Sequence, residues 1–80
     1  MLEDITGKII ERGAALWGKD IEELSGETQF SEVKATADHF AIIIGYLEEA
    51  YGKKASMKAF RESLTINEAA RKIYDFLCEG

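Results

Sequence analysis

The chain has 80 residues, a length that allows one domain spanning residues 1–80 and leaves too little for a second core. Its formal net charge of −5 argues against nucleic acid as a partner, because the phosphates of nucleic acid select a basic face. One cysteine excludes an internal disulfide, no Cys/His cluster indicates a metal site, and the longest apolar run, residues 40–47, falls far short of the roughly 20 residues of a membrane span.

The first predicted helix covers Leu2–Trp17. Its residues Ile5, Ile9 and Leu16 lie along one stripe at helical spacing, which is typical of a buried face. Gly18 follows, at a position where a left-handed helix end is favoured. This acidic, helical start has neither a basic n-region nor an apolar h-region, so we expect no signal peptide and a cytoplasmic protein.

A long connection follows, over residues 18–36. Loops of this length usually have a function or carry hydrophobic anchors of their own. Polar residues surround each hydrophobic one, which predicts a packed loop with short helical turns. The predicted anchors are Ile21, Leu24, Phe30 and Val33.

The second predicted helix spans Ala37–Tyr51. Its hydrophobic residues recur at steps of three and four, which defines one core face. That face consists of Phe40, Ile43, Ile44, Leu47 and Tyr51. Thr36 or Asp38 is the candidate N-cap, because a side-chain oxygen there satisfies an otherwise unpaired amide. Ile42 and Tyr46 lie on a neighbouring face, so the helix is apolar around much of its circumference.

A short third helix is predicted over Ser56–Glu62, with Met57 and Phe60 facing inward. Thr65 and Glu68 then have the spacing of a capping box at the start of a fourth helix. The stripe of that helix is Ile66, Ala69, Ala70, Ile73, Phe76 and Leu77. With no strand pattern, the sequence predicts an all-α fold, a small antiparallel four-helix bundle of three long helices and one short one.

In the order and spacing of these segments, the chain resembles the acyl carrier protein family. Leu47-Glu48-Glu49-Ala50-Tyr51 is similar to the Leu-Glu-Glu-x-aromatic ending of that family's second helix, and Thr65-Ile66 to the Thr-Val that opens its fourth. Asp20-Ile21-Glu22-Glu23-Leu24 resembles the segment after the first helix, and Phe30 the buried aromatic of the long loop. The resemblance covers nearly the whole chain and implies an acyl-carrier-protein-like bundle.

The resemblance also implies where a prosthetic group belongs. In the family, a serine opening the second helix carries 4'-phosphopantetheine, whose thiol holds the acyl chain. Counting back from Leu47 puts Ala37 at that position, between Thr36 and Asp38. Because a methyl group cannot form a phosphodiester, the sequence as written implies no cofactor, and 4'-phosphopantetheine only if Ala37 replaces a native serine. The alternative hydroxyls are Thr36, which is hindered, and Ser31, which requires a gap.

Family members dock to basic partners through an acidic second helix. Here the candidate docking residues are His39, Ile42, Tyr46, Glu48 and Glu49. Few of them are acidic, which predicts that steering by charge is weaker or is aimed at a different partner. An apolar patch at Ile42 and Tyr46 favours an apolar contact instead, including a homodimer. His39 has no second ligand of comparable quality, so we interpret it as a partly exposed polar residue and predict no metal site.

The charge is unevenly distributed along the chain. Residues 1–50 carry eleven Asp/Glu and four Lys/Arg, a balance of −7, whereas residues 51–80 carry four and six, a balance of +2. This asymmetry indicates oriented docking to charged partners or an unevenly solvated surface.

These patterns contain no nucleophile with a matching base, so no catalytic residues are predicted. We expect a non-enzymatic protein that docks to enzymes of acyl metabolism, such as fatty-acid or polyketide synthesis, and that binds no membrane. The alternative is a pseudo-carrier, an interaction or dimerisation module that uses the apolar surface of the second helix.

Overall fold

Four α-helices form in the computed structural model, which describes residues 2–79. They are α1 (Leu2–Trp17), α2 (Ala37–Tyr51), α3 (Lys58–Arg61) and α4 (Ile66–Glu79). The predicted all-α class, with three long helices and one short one, is confirmed. Residues 2–79 contain no β-strand, and none of their helices is long and apolar enough to cross a membrane.

Helices α1 and α2 run antiparallel. At one end, which we call the Tyr51 end, the hydroxyl of Tyr51 donates to Asp4 Oδ2 at 2.5 Å. At the other, the Trp17 end, the indole of Trp17 donates to His39. These bonds join the start of each helix to the end of the other.

Helix α4 runs parallel to α2. The Lys53 ammonium, just past α2, donates to the carbonyl of Leu77 near the end of α4 at 3.2 Å. Both helices therefore finish at the Tyr51 end, and α4 is antiparallel to α1. The long loop lies against the start of α4, where the Ile66 amide donates to the carbonyl of Thr28 at 3.1 Å.

One hydrophobic core lies between the helices and the long loop. Its largest fully buried side chains are Phe60, Ile5, Ile9, Ile43, Leu47, Ile66 and Ile73. Each stabilises the fold by roughly 1.5–3 kcal/mol relative to an exposed side chain. Most of the predicted stripes of α1, α2 and α4 contribute to this core, since their spacing matches the helical period.

Two predicted core residues are exposed instead. Phe76 is 45% exposed, because at about 100° per residue it falls about 80° from the middle of the α4 stripe. Ile21 is 56% exposed, in a short 3₁₀ turn over Ile21–Glu23. The chain leaves this turn extended at Leu24, which is buried and anchors the loop together with the buried Phe30. Both predictions of burial were therefore wrong, and both residues lie at the surface.

The loop is packed, as predicted, and backbone hydrogen bonds join it to the junction between α3 and α4. The Phe30 amide donates to the Leu64 carbonyl at 3.0 Å, and the Asn67 amide to the Gly26 carbonyl at 2.8 Å. The latter bond satisfies one of the amides that the start of α4 leaves unpaired. A Cβ at position 26 would overlap the end of the exposed Asn67 side chain, so a larger residue there requires that side chain to move.

Helix α3 is shorter than the predicted Ser56–Glu62. The Ser56 hydroxyl accepts from the Lys58 amide at 3.1 Å, which makes a side-chain turn before the helix begins. Phe60 is buried and Met57 half-buried, as expected.

The fourth helix also differs slightly from its prediction. The Glu68 amide donates to Thr65 Oγ1 at 3.2 Å, as in a capping box. The Glu68 carboxylate, however, accepts from the Thr65 hydroxyl at 3.3 Å, whereas in a capping box it would accept from the Thr65 backbone amide.

Candidate functional site

The start of α2 is fixed by a reciprocal cap. Thr36 has an extended backbone, and its hydroxyl accepts from the His39 amide at 3.3 Å. In return, His39 Nδ1 accepts from the Thr36 amide at 3.2 Å. Of the two candidate caps, Thr36 therefore performs the role, and Asp38 is exposed in the first turn. Two of the amides that a helix start leaves unpaired are satisfied in this way.

The same ring of His39 connects α2 to α1. Trp17 Nε1 donates to His39 Nδ1 at 3.1 Å, so this nitrogen accepts two hydrogen bonds. A ring that accepts at Nδ1 carries its proton on Nε2. His39 is half-buried, and its Nδ1 is hydrogen-bonded to Trp17 of α1 and to the Thr36 backbone. The sequence carries no signal for this pairing, because the two residues are 22 positions apart.

An aromatic cluster supports the first turn of α2. The ring of Phe30 meets those of Trp17 and Phe40 edge to face, at centroid distances of 6.3 and 5.1 Å. Phe40 stacks on Phe60 at 5.0 Å. Aromatic pairs of this kind stabilise a fold by about 0.5–1.5 kcal/mol beyond their buried area. The start of α2 therefore rests on a rigid base made by α1, the loop and α3.

Ala37 is exposed as the first residue of α2. Its methyl offers no atom for a phosphodiester. The neighbouring Thr36 hydroxyl already caps the helix, and Ser31 lies in the loop with its hydroxyl donating to Gln29 at 3.4 Å. These residues do not fit a phosphopantetheine group, and no covalent step follows from them.

The exposed side of α2 forms a surface that we call the α2 face, made of Asp38, Ala41, Ile42, Gly45 and Glu49. Ile42 at its centre is 48% exposed. A Cβ added at Gly45 would meet nothing within 4 Å, so packing within the chain does not require glycine there. The two carboxylates stand eleven positions apart, about 16 Å along the helix. The face is thus apolar in the middle and acidic at each end.

The other predicted docking residues lie beside this face or away from it. Tyr46 is half-buried, with the Arg12 guanidinium over its ring at 4.6 Å from the centroid. Glu48 is half-buried, and its carboxylate accepts from the Ala55 amide at 2.9 Å, which closes the turn after α2. The structure brings Ile42 and Glu49 together on the open face. Arg12, which pattern reasoning did not select, places a positive charge at its edge.

Clusters of the kind that bind a metal ion are absent from the part of the chain that the structure describes. Within residues 2–79, no three His, Cys, Asp or Glu side chains converge as a metal site requires. Buried side-chain nitrogens and oxygens in this range all have hydrogen-bond partners. The α2 face presents an apolar centre and two carboxylates to a binding partner.

The groups with shifted pKa values include a pair at the Tyr51 end, away from the α2 face. The hydrogen bond from Tyr51, helped by Lys8, lowers the pKa of the Asp4 carboxyl. Burial and the same bond raise the pKa of the Tyr51 hydroxyl. Lys8 also lies over the Tyr51 ring, 5.6 Å from its centroid. These three residues clamp α1 to α2.

Comparison with known protein families, curated proteins and solved structures found no match to this chain.

Proposed function

We propose that this chain is an acyl-carrier-protein-like, non-enzymatic protein that docks to enzymes of acyl metabolism. The order of its helices supports this: a long α1, a packed loop, α2, a one-turn α3 and α4. Their directions support it as well, because α1 is antiparallel to α2 and α4 and the loop ends where α2 begins. The motif residues named above, in the same order along the chain, relate this bundle to the carrier family.

The observation that carries the proposal is Ala37, an exposed methyl on the first residue of α2. At the position where carrier proteins attach their arm, this protein has a capped helix start on an aromatic support but lacks the hydroxyl. Its role is accordingly to dock and not to carry a thioester. Any acyl chemistry takes place on the partner enzyme.

The α2 face is the docking surface in this proposal. Ile42 supplies an apolar anchor, and Asp38 and Glu49 supply one negative charge toward each end. A fitting partner has an apolar recess with basic residues on two sides. Because only two carboxylates contribute, salt should weaken the complex less than it weakens docking through a fully acidic helix.

Restoring the missing hydroxyl tests the proposal. Ala37→Ser is incubated with coenzyme A and a broad-specificity phosphopantetheinyl transferase, and the intact mass is measured. We expect the variant to gain one phosphopantetheine and the wild type to gain none. An unmodified, folded variant would contradict the proposed relation to carrier proteins.

The second candidate function is a pseudo-carrier that dimerises through the α2 face. The observation in its favour is the open Gly45 beside the exposed Ile42. A glycine inside a helix lowers stability, and one reason for its presence is that it lets another backbone approach closely. Sedimentation of the wild type and Ile42→Glu distinguishes the two functions. A dimer lost in the variant supports the pseudo-carrier, and monomers in both cases oppose it.

A further inference from the structure

Two exposed hydrophobic side chains lie at opposite ends of the bundle in surroundings of opposite charge. The Ile21 patch consists of Ile21 with Glu11, Lys19, Asp20 and Glu22 around it. The Phe76 patch consists of Phe76 with Lys53, Lys54, Lys58, Glu62 and Lys72 around it. Neither patch includes a residue of the α2 face, and the bundle's own core accounts for neither.

The Ile21 patch is an open, acidic recess. Ile21 is 56% exposed at the edge of a cavity of about 570 Å³, beside Ala14 and Ala15 of α1. Three carboxylates and one ammonium line this cavity, which gives it a charge of −2. An exposed apolar anchor inside a charged ring has the composition of a small protein contact, in which a hydrophobic centre lies within a polar rim.

The Phe76 patch also has one exposed apolar residue surrounded by charged side chains, but here the charges are mostly positive. Phe76 is 45% exposed and lies between two adjoining cavities of about 290 Å³ each. Four ammonium groups and one carboxylate surround it, a charge of +3. Lys72 and Lys53 donate to the carbonyls of Glu62 and Leu77, at 2.7 and 3.2 Å. These bonds hold both lysine side chains against the cavities beside Phe76. Because the acceptors are neutral carbonyls, the positive charges of the lysines are not neutralised.

The geometry of the bundle keeps the two patches apart within one molecule. Ile21 follows the end of α1, at the Trp17 end, whereas Phe76 precedes Leu77 at the Tyr51 end. The molecule measures 32 × 20 × 20 Å, and the two anchors lie toward opposite ends of its helices. The two surfaces can therefore meet only when they belong to different copies.

We propose that copies of this chain associate head to tail, with the Ile21 patch of one copy seated on the Phe76 patch of the next. The charges of the patches are complementary, and each offers one apolar anchor to the recess of the other. Since the two surfaces differ, the contact is heterologous and does not close at two copies. The association uses neither Ala37 nor the α2 face, so it is independent of the proposed function.

Sedimentation velocity on two variants tests this arrangement. We expect wild type at about 1 mM in low salt to form oligomers larger than dimers. Ile21→Lys alone and Phe76→Glu alone should remain monomeric, because every copy then lacks one of the two surfaces. An equimolar mixture should form heterodimers that do not grow, since each variant supplies the surface that the other lacks. Both replaced side chains are exposed, and circular dichroism verifies that the variants are folded.

Three controls sharpen the test. Leu64→Glu, which replaces an apolar residue 71% exposed outside both patches, should associate like wild type. Ile42→Glu should do the same, which separates this contact from one through the α2 face. Salt of about 1 M should dissociate the oligomers, because it shortens the screening length to about 3 Å. A monomeric wild type, a mixture without heterodimer or oligomers lost in Ile42→Glu would overturn the proposal.

Discussion

The indole nitrogen of Trp17 donates a hydrogen bond to Nδ1 of His39 at 3.1 Å, which ties the last residue of α1 to the first turn of α2. The same Nδ1 accepts from the Thr36 amide. One imidazole therefore joins two helices and caps one of them. The candidate docking helix owes its starting position to this ring.

Replacing His39 with alanine should destabilise the fold by about 1–2 kcal/mol, because the Trp17 and Thr36 donors both lose their acceptor. His39→Asn should recover part of this loss, since its side-chain oxygen can replace Nδ1 as acceptor. Urea denaturation followed by the fluorescence of Trp17, the single tryptophan, measures both values. Glu49→Gln, an exposed change on the same helix, should stay within about 0.5 kcal/mol of wild type. Equal stability of His39→Ala and wild type would show that the ring does not support α2.

The Asp4–Tyr51 bond should make stability depend on pH at both extremes. The folded-state pKa of Asp4 is lowered from 3.8, so its contribution is present above that value and is lost as the pH falls. The folded-state pKa of Tyr51 is raised from 10.0, so its contribution is present below that value and is lost as the pH rises.

Comparing wild type with Tyr51→Phe isolates these contributions. The difference in the free energy of unfolding should be largest near neutral pH and should shrink below about pH 4 and above about pH 10. Denaturation in a series of buffers at constant ionic strength measures it. A difference that stays constant across the series would mean that the hydroxyl and the carboxylate do not interact.

Lys34 has a φ angle of 55°, in the left-handed region that L-residues rarely occupy. Lys34→Gly should therefore stabilise the protein by about 1 kcal/mol through relief of this strain. Lys34→Ala is the matched control, since it removes the charge but keeps the Cβ, and it should give no such gain. Thermal unfolding of the three proteins checks the order, and a gain with alanine equal to that with glycine would assign the effect to charge.

A substitution at Gly45 should affect the stability of the monomer and its binding to a partner in opposite directions. Gly45→Ala should stabilise the monomer by up to about 1 kcal/mol, because alanine favours the helix and its Cβ meets nothing within 4 Å. If a partner backbone packs closely on the α2 face, the same methyl should weaken binding. Ala50→Gly, at an exposed position outside the face, should lower stability and leave binding unchanged. A stabilised Gly45→Ala that binds its partner with full affinity would place the contact elsewhere.

The sequence predicts the long helices well because their hydrophobic residues follow the helical period. Glycines at positions 18 and 52 follow α1 and α2, and both have φ angles of 66°. Prediction fails at the margins of these patterns. Phe76 has helical spacing from the other stripe residues of α4 but lies at the solvent-exposed edge of that stripe. Ile21 is close in sequence to Leu24, and it is Leu24 that is buried and anchors the loop.

The candidate site was only partly predictable for a related reason. The predicted start of α2 at Ala37 is confirmed, because the helical period and the cap residue before it are both visible along the chain. The bond between Trp17 and His39, the closure of Ala55 onto Glu48 and the placement of Arg12 over Tyr46 depend on tertiary packing, and spacing along the chain carries no information about them. Glu48 thus looked like a docking residue beside Glu49, although its carboxylate closes a turn.

The intact mass of Ala37→Ser after treatment with coenzyme A and the transferase tests the central claim most directly. Ala41→Ser places a hydroxyl one turn along the same exposed helix and serves as the matched control. The proposal predicts one added phosphopantetheine on Ala37→Ser and none on Ala41→Ser or wild type. Addition to the wild type, or to neither folded variant, would contradict the assignment of Ala37 to the position of the modified serine.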